Sequence, residues 1–211
     1  MTASRSESLT GTLQVPFPEY EDPVADPVVL LRGWLREARE LNVREPAAMA
    51  LATADARGRA SVRTVVLARV TDRGLLFASH RGSRKGREMR ENPWASGLLY
   101  WRETSRQVSV SGPVRRVSDA ASDALWAARP VFTHAMTVAS RQSEPLADAA
   151  ELRERAARLA GSAPHPRPDT FVGFELDAQC LEFWSDGTDR LHERLRYERT
   201  DQGWSVTRLQ P

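Results

Sequence analysis

Cysteine is almost missing from this 211-residue chain, which contains only Cys180. A disulfide framework and a thiolate metal cage are therefore excluded. Cys180 lies in the apolar run Cys-Leu-Glu-Phe-Trp, which predicts a buried, inert thiol. The four histidines, His80, His134, His165 and His192, show neither HxH nor HExxH spacing, so no metal site is expected. No apolar run reaches the length of a membrane span and the N-terminus lacks a signal-peptide core, which predicts a soluble cytoplasmic protein with no membrane partner. A one-sided charge excess is also lacking: 30 Lys and Arg stand against 28 Asp and Glu. Nucleic-acid binding by a concentrated basic surplus is not indicated. There is no internal repeat, no GxGxxG and no GxxxxGK[ST], so Walker and dinucleotide folds are set aside.

What is present is the composition of one globular domain with an appendage, 41% apolar and 27% charged. Residues 1–25 are rich in Ser, Thr, Pro and acidic groups without periodicity, and read as a mobile or draped arm. Its PFPEY segment carries aromatics able to dock on the body or on a partner subunit. Residues 26–211 make the folded domain. Asp26-Pro27 is a helix start, an N-cap followed by proline at the first helical position, and Val28, Leu31, Leu35, Ala38 and Leu41 mark one apolar face. Short strands follow over 48–53, 61–70 and 75–79, joined by tight turns, then a hairpin over 95–101 and 106–112 that continues as an edge through 113–117. Helices are predicted after Ser83, from Ser118 to about Ala128, and over 146–159. Residues 134–142 read as irregular, and strands over 171–176, 181–184, 191–197 and 204–209 close the chain. About eight short strands with inserted helices predict a closed antiparallel β-barrel with peripheral helices.

Two stretches carry candidate chemistry. His80-Arg81-Gly82-Ser83-Arg84-Lys85-Gly86 sits where a strand gives way to a helix, and a helix N-terminus offers free N–H groups and partial positive charge to an anion. Leu181–Tyr197 reads as a hairpin turning at Asp186-Gly187. Its second arm puts Arg190, His192, Arg194 and Arg196 on one face and Leu191, Glu193, Leu195 and Tyr197 on the other. Four basic groups on one face repel one another unless an anion lies over them, and each hydrogen bond to a charged group is worth about 1.5–3 kcal/mol. Arg63 adds a further cation, and Trp184, Tyr100 and Trp101 are candidate contacts for a flat ring. Gln107 and Gln142 can hydrogen-bond a heteroaromatic edge in both senses. A flat, polar-edged ring bearing one phosphate satisfies the set. Flavin mononucleotide (FMN) is such a molecule; a nucleotide or a phosphorylated sugar fits as well.

Several motifs occur in one order: EPAAMALATAD, SVRTVVL, GSRKGREMRENPWAS, RQVSVSG, SRQS, EFWSDGTDRLHERLRY and the terminal RLQP. Over about Pro27 to Pro211 they resemble the pyridoxamine 5′-phosphate oxidase superfamily of flavin-binding split barrels. SESLTGTLQVPFPEY, NPWASGLLYWRETS and LHERLRYERTDQGW are similar to its phenazine-biosynthesis flavin oxidases. The resemblance implies a homodimer with FMN at the subunit interface. It assigns flavin contacts to Arg63, Thr64, Val65 and Val66, to Ala78 and Ser79, to Ser83, Arg84 and Lys85, and to Gln107 from the second subunit. Gln142, Ser143, Trp184 and Arg194 complete the set, and Arg190 and His192 lie over the substrate. The vitamin-forming oxidases carry lysine where this chain has Ala68 and tyrosine where it has Leu125. Both grip the substrate phosphate there, together with counterparts of Thr133 and Arg129. Losing two such contacts costs several kcal/mol, so pyridoxine phosphate is expected to be a poor substrate and a wider apolar ring system a better one.

The implied reaction is two-electron oxidation of a partly reduced phenazine carboxylate, with dioxygen as acceptor and hydrogen peroxide as product. Arg190 would pair with the substrate carboxylate, and His192 would hydrogen-bond it or take a proton. Arg129 and Thr133 would line the rim. The alternatives are a vitamin B6 oxidase with an altered phosphate grip, and a non-catalytic split barrel that binds flavin or nucleic acid through the basic face and aromatics.

Overall fold

Alternating apolar residues make strands here because each strand turns one row toward a shared interior. The computed structural model describes residues 11–187 and 191–211. Within them lie β1 (Ala48–Ala54), β2 (Ala60–Val70), β3 (Gly74–His80), β4 (Trp94–Trp101), β5 (Arg106–Arg116), β6 (Phe171–Asp177), β7 (Cys180–Ser185), β8 (Glu193–Thr200) and β9 (Gly203–Arg208). Every pairing is antiparallel. Six strands close a barrel in the order β1-β2-β3-β6-β5-β4, with β4 returning to β1. β7, β8 and β9 extend sideways from β5, which belongs to both parts: Arg106–Ser111 pairs with β7 and Val114–Arg116 with β6. This is the expected antiparallel split barrel, mainly β with peripheral helices. The stretch 113–117, expected as an edge, is instead interior to the ladder. Pro113 opposes Trp94 on one neighbour, and Val114 opposes Leu176 on the other.

The helices are α1 (Pro27–Glu40), α2 (Arg84–Glu91), α3 (Asp119–Ala127), α4 (His134–Ala139) and α5 (Ala149–Ala160). The Asp26 carboxylate accepts from the Val28 N–H at 2.9 Å and caps α1. The buried side of α1 includes Leu31, Trp34 and Leu35. Trp34 meets Phe17 and Phe183 edge-on, at 4.8 and 5.2 Å between ring centroids, and so ties helix, strap and side sheet into one core. Two expectations change. Residues 134–142 contain α4, whose buried positions are His134, Ala135, Thr137 and Ala139. Small and polar residues on that face concealed its period. α5 begins at Ala149 under an Asp148 cap, and Leu146 stays 61% exposed.

Residues 11–25 of the expected arm run along the body. Phe17 is buried, Arg106 donates to the carbonyls of Val15 and Pro16, and Arg208 donates to those of Tyr20 and Glu21. Residues 1–10 fall outside the described part. Among the described residues, no helix is long and apolar enough to cross a membrane.

Candidate functional site

The first cluster forms where β2, β3 and α2 meet. Ser83 caps α2, its hydroxyl accepting from the Gly86 N–H at 3.2 Å. A side chain at Gly86 would put a Cβ 2.4 Å from the Arg81 carbonyl oxygen, so only glycine permits this tight entry. Lys85 follows the cap and is nearly buried. Its Nζ donates to Ser79 Oγ and Gln142 Oε1, both at 3.0 Å, and to Ser83 Oγ at 3.4 Å. Burial and the charge of Arg63 lower its pKa to about 8, against some support from Glu88. Ser143, beside Gln142, holds a left-handed backbone at φ 71°. That geometry costs a non-glycine residue about 1–2 kcal/mol and is characteristic of functional positions.

Glu88, one turn further along α2, gathers the rest. Its carboxylate accepts from Thr53 Oγ1 at 2.5 Å, Ser61 Oγ at 2.6 Å, Arg63 Nη2 at 3.2 Å and Arg84 Nε at 2.8 Å. Burial alone would raise its pKa, but the hydrogen bonds from Ser61, Thr53, Arg84 and Arg63 outweigh it and hold the group at about 2. Along β2 the side chains alternate: Arg63 and Val65 are partly buried, whereas Thr64 and Val66 are exposed, Val66 to 72%. The four predicted contacts on this strand thus face two ways, and a single ligand can meet all of them only if some contribute backbone. On β3, Ala78 lies opposite Gly173 of β6, and Ser79 is buried beside Lys85.

The second cluster is a cross-strand row. Gln107 of β5 opposes Trp184 of β7, which opposes Arg194 of β8. Directly opposed residues of an antiparallel sheet share a face about 4.5–5.5 Å apart. Tyr100 of β4 continues the row beyond Gln107 and is 42% exposed. Trp101 takes the other face. It is 2% exposed, with its Nε1 donating to the Pro46 carbonyl, and is a core residue rather than a ring contact. The acidic complement of the basic face is Glu182. Its Oε1 accepts Arg194 Nε at 2.9 Å and Nη2 at 2.7 Å, and its Oε2 accepts Arg196 Nη2 at 3.1 Å.

The hairpin expected to turn at Asp186-Gly187 is paired only as far as Ser185 with Glu193, so Leu191 and His192 belong to the connecting loop rather than to the strand expected over 191–197. Leu191 is consequently 62% exposed, while Leu195 and Tyr197 fill the core. His192 stands at the end of that loop, 4.9 Å from Trp184 between ring centroids. Its Nδ1 is 3.2 Å from Asp186 Oδ1 and also accepts a long contact of 3.5 Å from the Gly187 N–H, so the loop backbone and the Asp186 carboxylate both hold the ring at this nitrogen. Arg190 lies outside the described residues.

A third group flanks α3 and α4. Arg129 donates to Thr133 Oγ1 and Thr137 Oγ1, each at 3.2 Å, and sits over the ring of Phe171 at 5.0 Å. Leu125 is half-buried on α3. Ala68 is the extra residue of a β-bulge, since Leu67 pairs with Phe77 and Arg69 with Leu76. Bulges re-aim side chains near sites, and here the re-aimed group is a single methyl. Cys180, expected as buried, is half-buried instead, and burial still raises its pKa.

Two family descriptions match this chain: "Pyridoxamine 5′-phosphate oxidase" over residues 35–163 and "Pyridoxine 5′-phosphate oxidase C-terminal dimerisation region" over 171–211. The chain belongs to the pyridoxamine 5′-phosphate oxidase family. It is 55% identical, over 98% of its own length and 93% of the relative's, to a dihydrophenazinedicarboxylate synthase of Pseudomonas chlororaphis. It is 50% identical, over the whole of both chains, to one of Burkholderia lata. The crystal structure of PhzG from Burkholderia lata in complex with tetrahydrophenazine-1-carboxylic acid superposes with a TM-score of 0.93 at 48% identity, covering 95% of this chain and 100% of that one. The pyridoxamine 5′-phosphate oxidase family comprises oxidoreductases of the flavin-binding type, and the dimerisation region contains both Trp184 and Arg194.

The residues expected to form the site divide in two. Arg63, Ser79, Ser83, Arg84, Lys85 and Gln142 come together through Glu88 and Lys85. Gln107, Trp184 and Arg194 align elsewhere, and among the described residues no hydrogen bond or ion pair joins the two sets. The sequence reading missed Glu88, Glu182 and Asp186, the acidic partners of the basic residues it named. For Glu88 a signal existed, because it stands four residues after Arg84, the spacing of a helical ion pair.

Proposed function

We propose that this chain is an FMN-dependent oxidase of phenazine biosynthesis. It would oxidise reduced phenazine carboxylates toward the aromatic acids, with dioxygen as acceptor and hydrogen peroxide as product. The near-complete superposition on a relative bound to a tetrahydrophenazine carboxylate is the observation that carries this reading. The donor set fits the cofactor: Arg63, Arg84 and Lys85 face one compensating carboxylate, Glu88, which leaves two positive charges for a phosphate dianion. Arg84 keeps both terminal nitrogens without a partner among the described residues.

The two separate clusters support a homodimer. In it the Gln107–Trp184–Arg194 row of a second copy would meet the ring whose phosphate the first copy holds. Val66 and Tyr100, exposed on the same outer face, supply apolar area for such a contact. When bound, flavin accepts two electrons and passes them to dioxygen. The residues of this chain then divide the work. Ser79, Ser83, Arg84 and Lys85 anchor the phosphate beside Arg63, and Thr64, Val65, Val66, Ala78, Gln107, Gln142 and Ser143 border the ring. Trp184 shields it from water. Arg190 pairs with the substrate carboxylate, while His192, held at Nδ1 beside Asp186 and the Gly187 N–H, presents Nε2 for a hydrogen bond or a proton. Ala68 and Leu125 leave width for a tricyclic substrate, with Arg129 and Thr133 at its rim. Nothing in this scheme requires a membrane or a nucleic acid, and the cytoplasm suits it.

The test is anaerobic mixing of the FMN-loaded protein with freshly prepared dihydrophenazine carboxylate while recording flavin absorbance. Rapid bleaching is expected. A flavin that stays oxidised there but bleaches with pyridoxine 5′-phosphate would instead favour the vitamin-forming reaction.

A further inference from the structure

Glu88 poses a physical question. It is an ionised carboxylate, 5% exposed, set in the middle of a cluster built from Arg63, Arg84 and Lys85. At a site for an anion, an added negative charge should repel the ligand. Its contacts show what it does in return. It touches three elements at once: Thr53 on β1, Ser61 and Arg63 on β2, and Arg84 on α2.

Arg63 is fixed on two sides. Its Nη1 donates to the Leu51 carbonyl at 3.1 Å and to Thr53 Oγ1 at 2.5 Å, and its Nη2 donates to Ser61 and Glu88. Four terminal N–H groups are thus used and only Nε–H remains, so Arg63 is locked in place as a fixed charge. Arg84 is the reverse case. Glu88 takes its Nε–H, and the fork of Nη1 and Nη2 has no acceptor among the described residues. A guanidinium held by Nε presents that fork in the bidentate geometry that suits phosphate. Without the tether the side chain, 61% exposed, is free to rotate into solvent.

We infer that Glu88 is a positioning residue of the phosphate cradle: it orients Arg84, immobilises Arg63, and trims the local charge to match a phosphate monoester dianion. The inference rests on the reading of this cluster as the flavin phosphate site. It adds a residue that would touch neither cofactor nor substrate. A second consequence concerns Lys85, whose ammonium is favoured by Glu88 and disfavoured by Arg63 and burial. His80, Ser79, Ser83 and Gln142 are its other polar neighbours, and His80 is lowered by burial and by the charges of Arg129 and Lys85. A dianion binds best while Lys85 is protonated. Affinity should therefore hold below the pKa of about 8 and decline above it.

The experiment is titration of apoprotein with FMN and, separately, with riboflavin, which lacks the phosphate, read by quenching of flavin fluorescence. Wild type, Glu88→Gln and Ser61→Ala are compared between pH 6 and about 9.5, a range chosen to bracket the lysine titration. For Glu88→Gln we expect FMN affinity to fall about tenfold or more, riboflavin affinity to stay within about twofold, and the alkaline decline to begin at lower pH. Ser61→Ala, a smaller perturbation, should lose FMN affinity a few-fold in the same phosphate-specific way, and it carries the test if Glu88→Gln does not fold. Unchanged or tighter FMN binding in Glu88→Gln overturns the inference, because it would make the carboxylate inert or a competitor. Equal loss for FMN and riboflavin also overturns it, because the effect would then be general collapse. If wild type itself fails to prefer FMN over riboflavin, the phosphate reading fails first, a result distinct from either.

Discussion

Arg106 offers the sharpest test of how the strap, α1 and the side sheet hold together. Its side chain is 3% exposed and forms an ion pair with Glu37 at 2.6 Å, while Glu37 remains 41% exposed. It also donates to the Val15 and Pro16 carbonyls and lies 4.2 Å over the Trp34 ring. The two partners are therefore not equivalent. Arg106→Met removes a charge-assisted bond worth about 1.5–3 kcal/mol and a cation–π contact worth up to about 2, but it also removes a desolvated charge, so a net loss of about 2 kcal/mol is expected. The partner it leaves, Glu37, can be rehydrated. Glu37→Ala instead leaves a buried guanidinium without its counter-charge, for which about 3 kcal/mol is the appropriate scale. At 211 residues that corresponds to a fall of about 6–12 °C in Tm. The double variant should be more stable than the sum of the singles by about 1.5 kcal/mol. Urea unfolding at pH 7 measures all three, and chymotryptic cleavage after Tyr20 should quicken selectively in Arg106→Met as the strap loosens. A Glu37→Ala variant within about 0.5 kcal/mol of wild type would refute the reasoning, because an exposed pair behaves that way and a buried one does not.

Three further outcomes follow from the same contacts. Glu88, whose carboxyl falls from 4.5 to about 2 on folding, should contribute roughly 3 kcal/mol that is fully present above pH 4.5 and lost as pH drops toward 2. The urea midpoints of wild type and Glu88→Gln should converge over that window, and a constant gap would contradict the assignment. The pair Ala68→Lys with Leu125→Tyr should restore a phosphate grip and lower KM for pyridoxine 5′-phosphate by about tenfold or more, with a concurrent loss of turnover on phenazine carboxylates. Val66→Glu, placed on the exposed outer face of β2, should shift the protein to monomer in sedimentation and weaken FMN binding more than about tenfold. A dimer that tolerates this charge would place the subunit contact elsewhere.

The barrel was legible because its signals are local. Turn clusters at Asp55–Arg59 and Thr71–Gly74 and the caps Asp26 and Ser83 all act within a few residues and fix the elements they mark. What escaped was long-range or unpatterned. Trp101 looks like a ring contact in sequence, but its register against β1 and β5 turns it into the core. The second arm of the β7–β8 hairpin was expected from Leu191 but begins at Glu193, because the alternation in sequence continues past the point where pairing with β7 ends, at Ser185. The carboxylates that orient the cations, Glu88 and Glu182, escaped for a different reason: even the i,i+4 spacing of Glu88 to Arg84 is ordinary in a chain with 28 acidic and 30 basic residues. Only the three-dimensional contacts show which are buried and shared.

The loop between β7 and β8 begins after the last ladder pair, so its length is uncoupled from the positions of Trp184 and Arg194. Adding or deleting a residue within β7 itself would swing Trp184 into the core and push Phe183 to the surface, destroying the row in one step. The same change a few positions later leaves the row untouched. On the function proposed above, recoding that short segment would change the side of the site that meets substrate, while the side that meets flavin is fixed by strand register. On that reading, new substrates would be easier to acquire than a new cofactor.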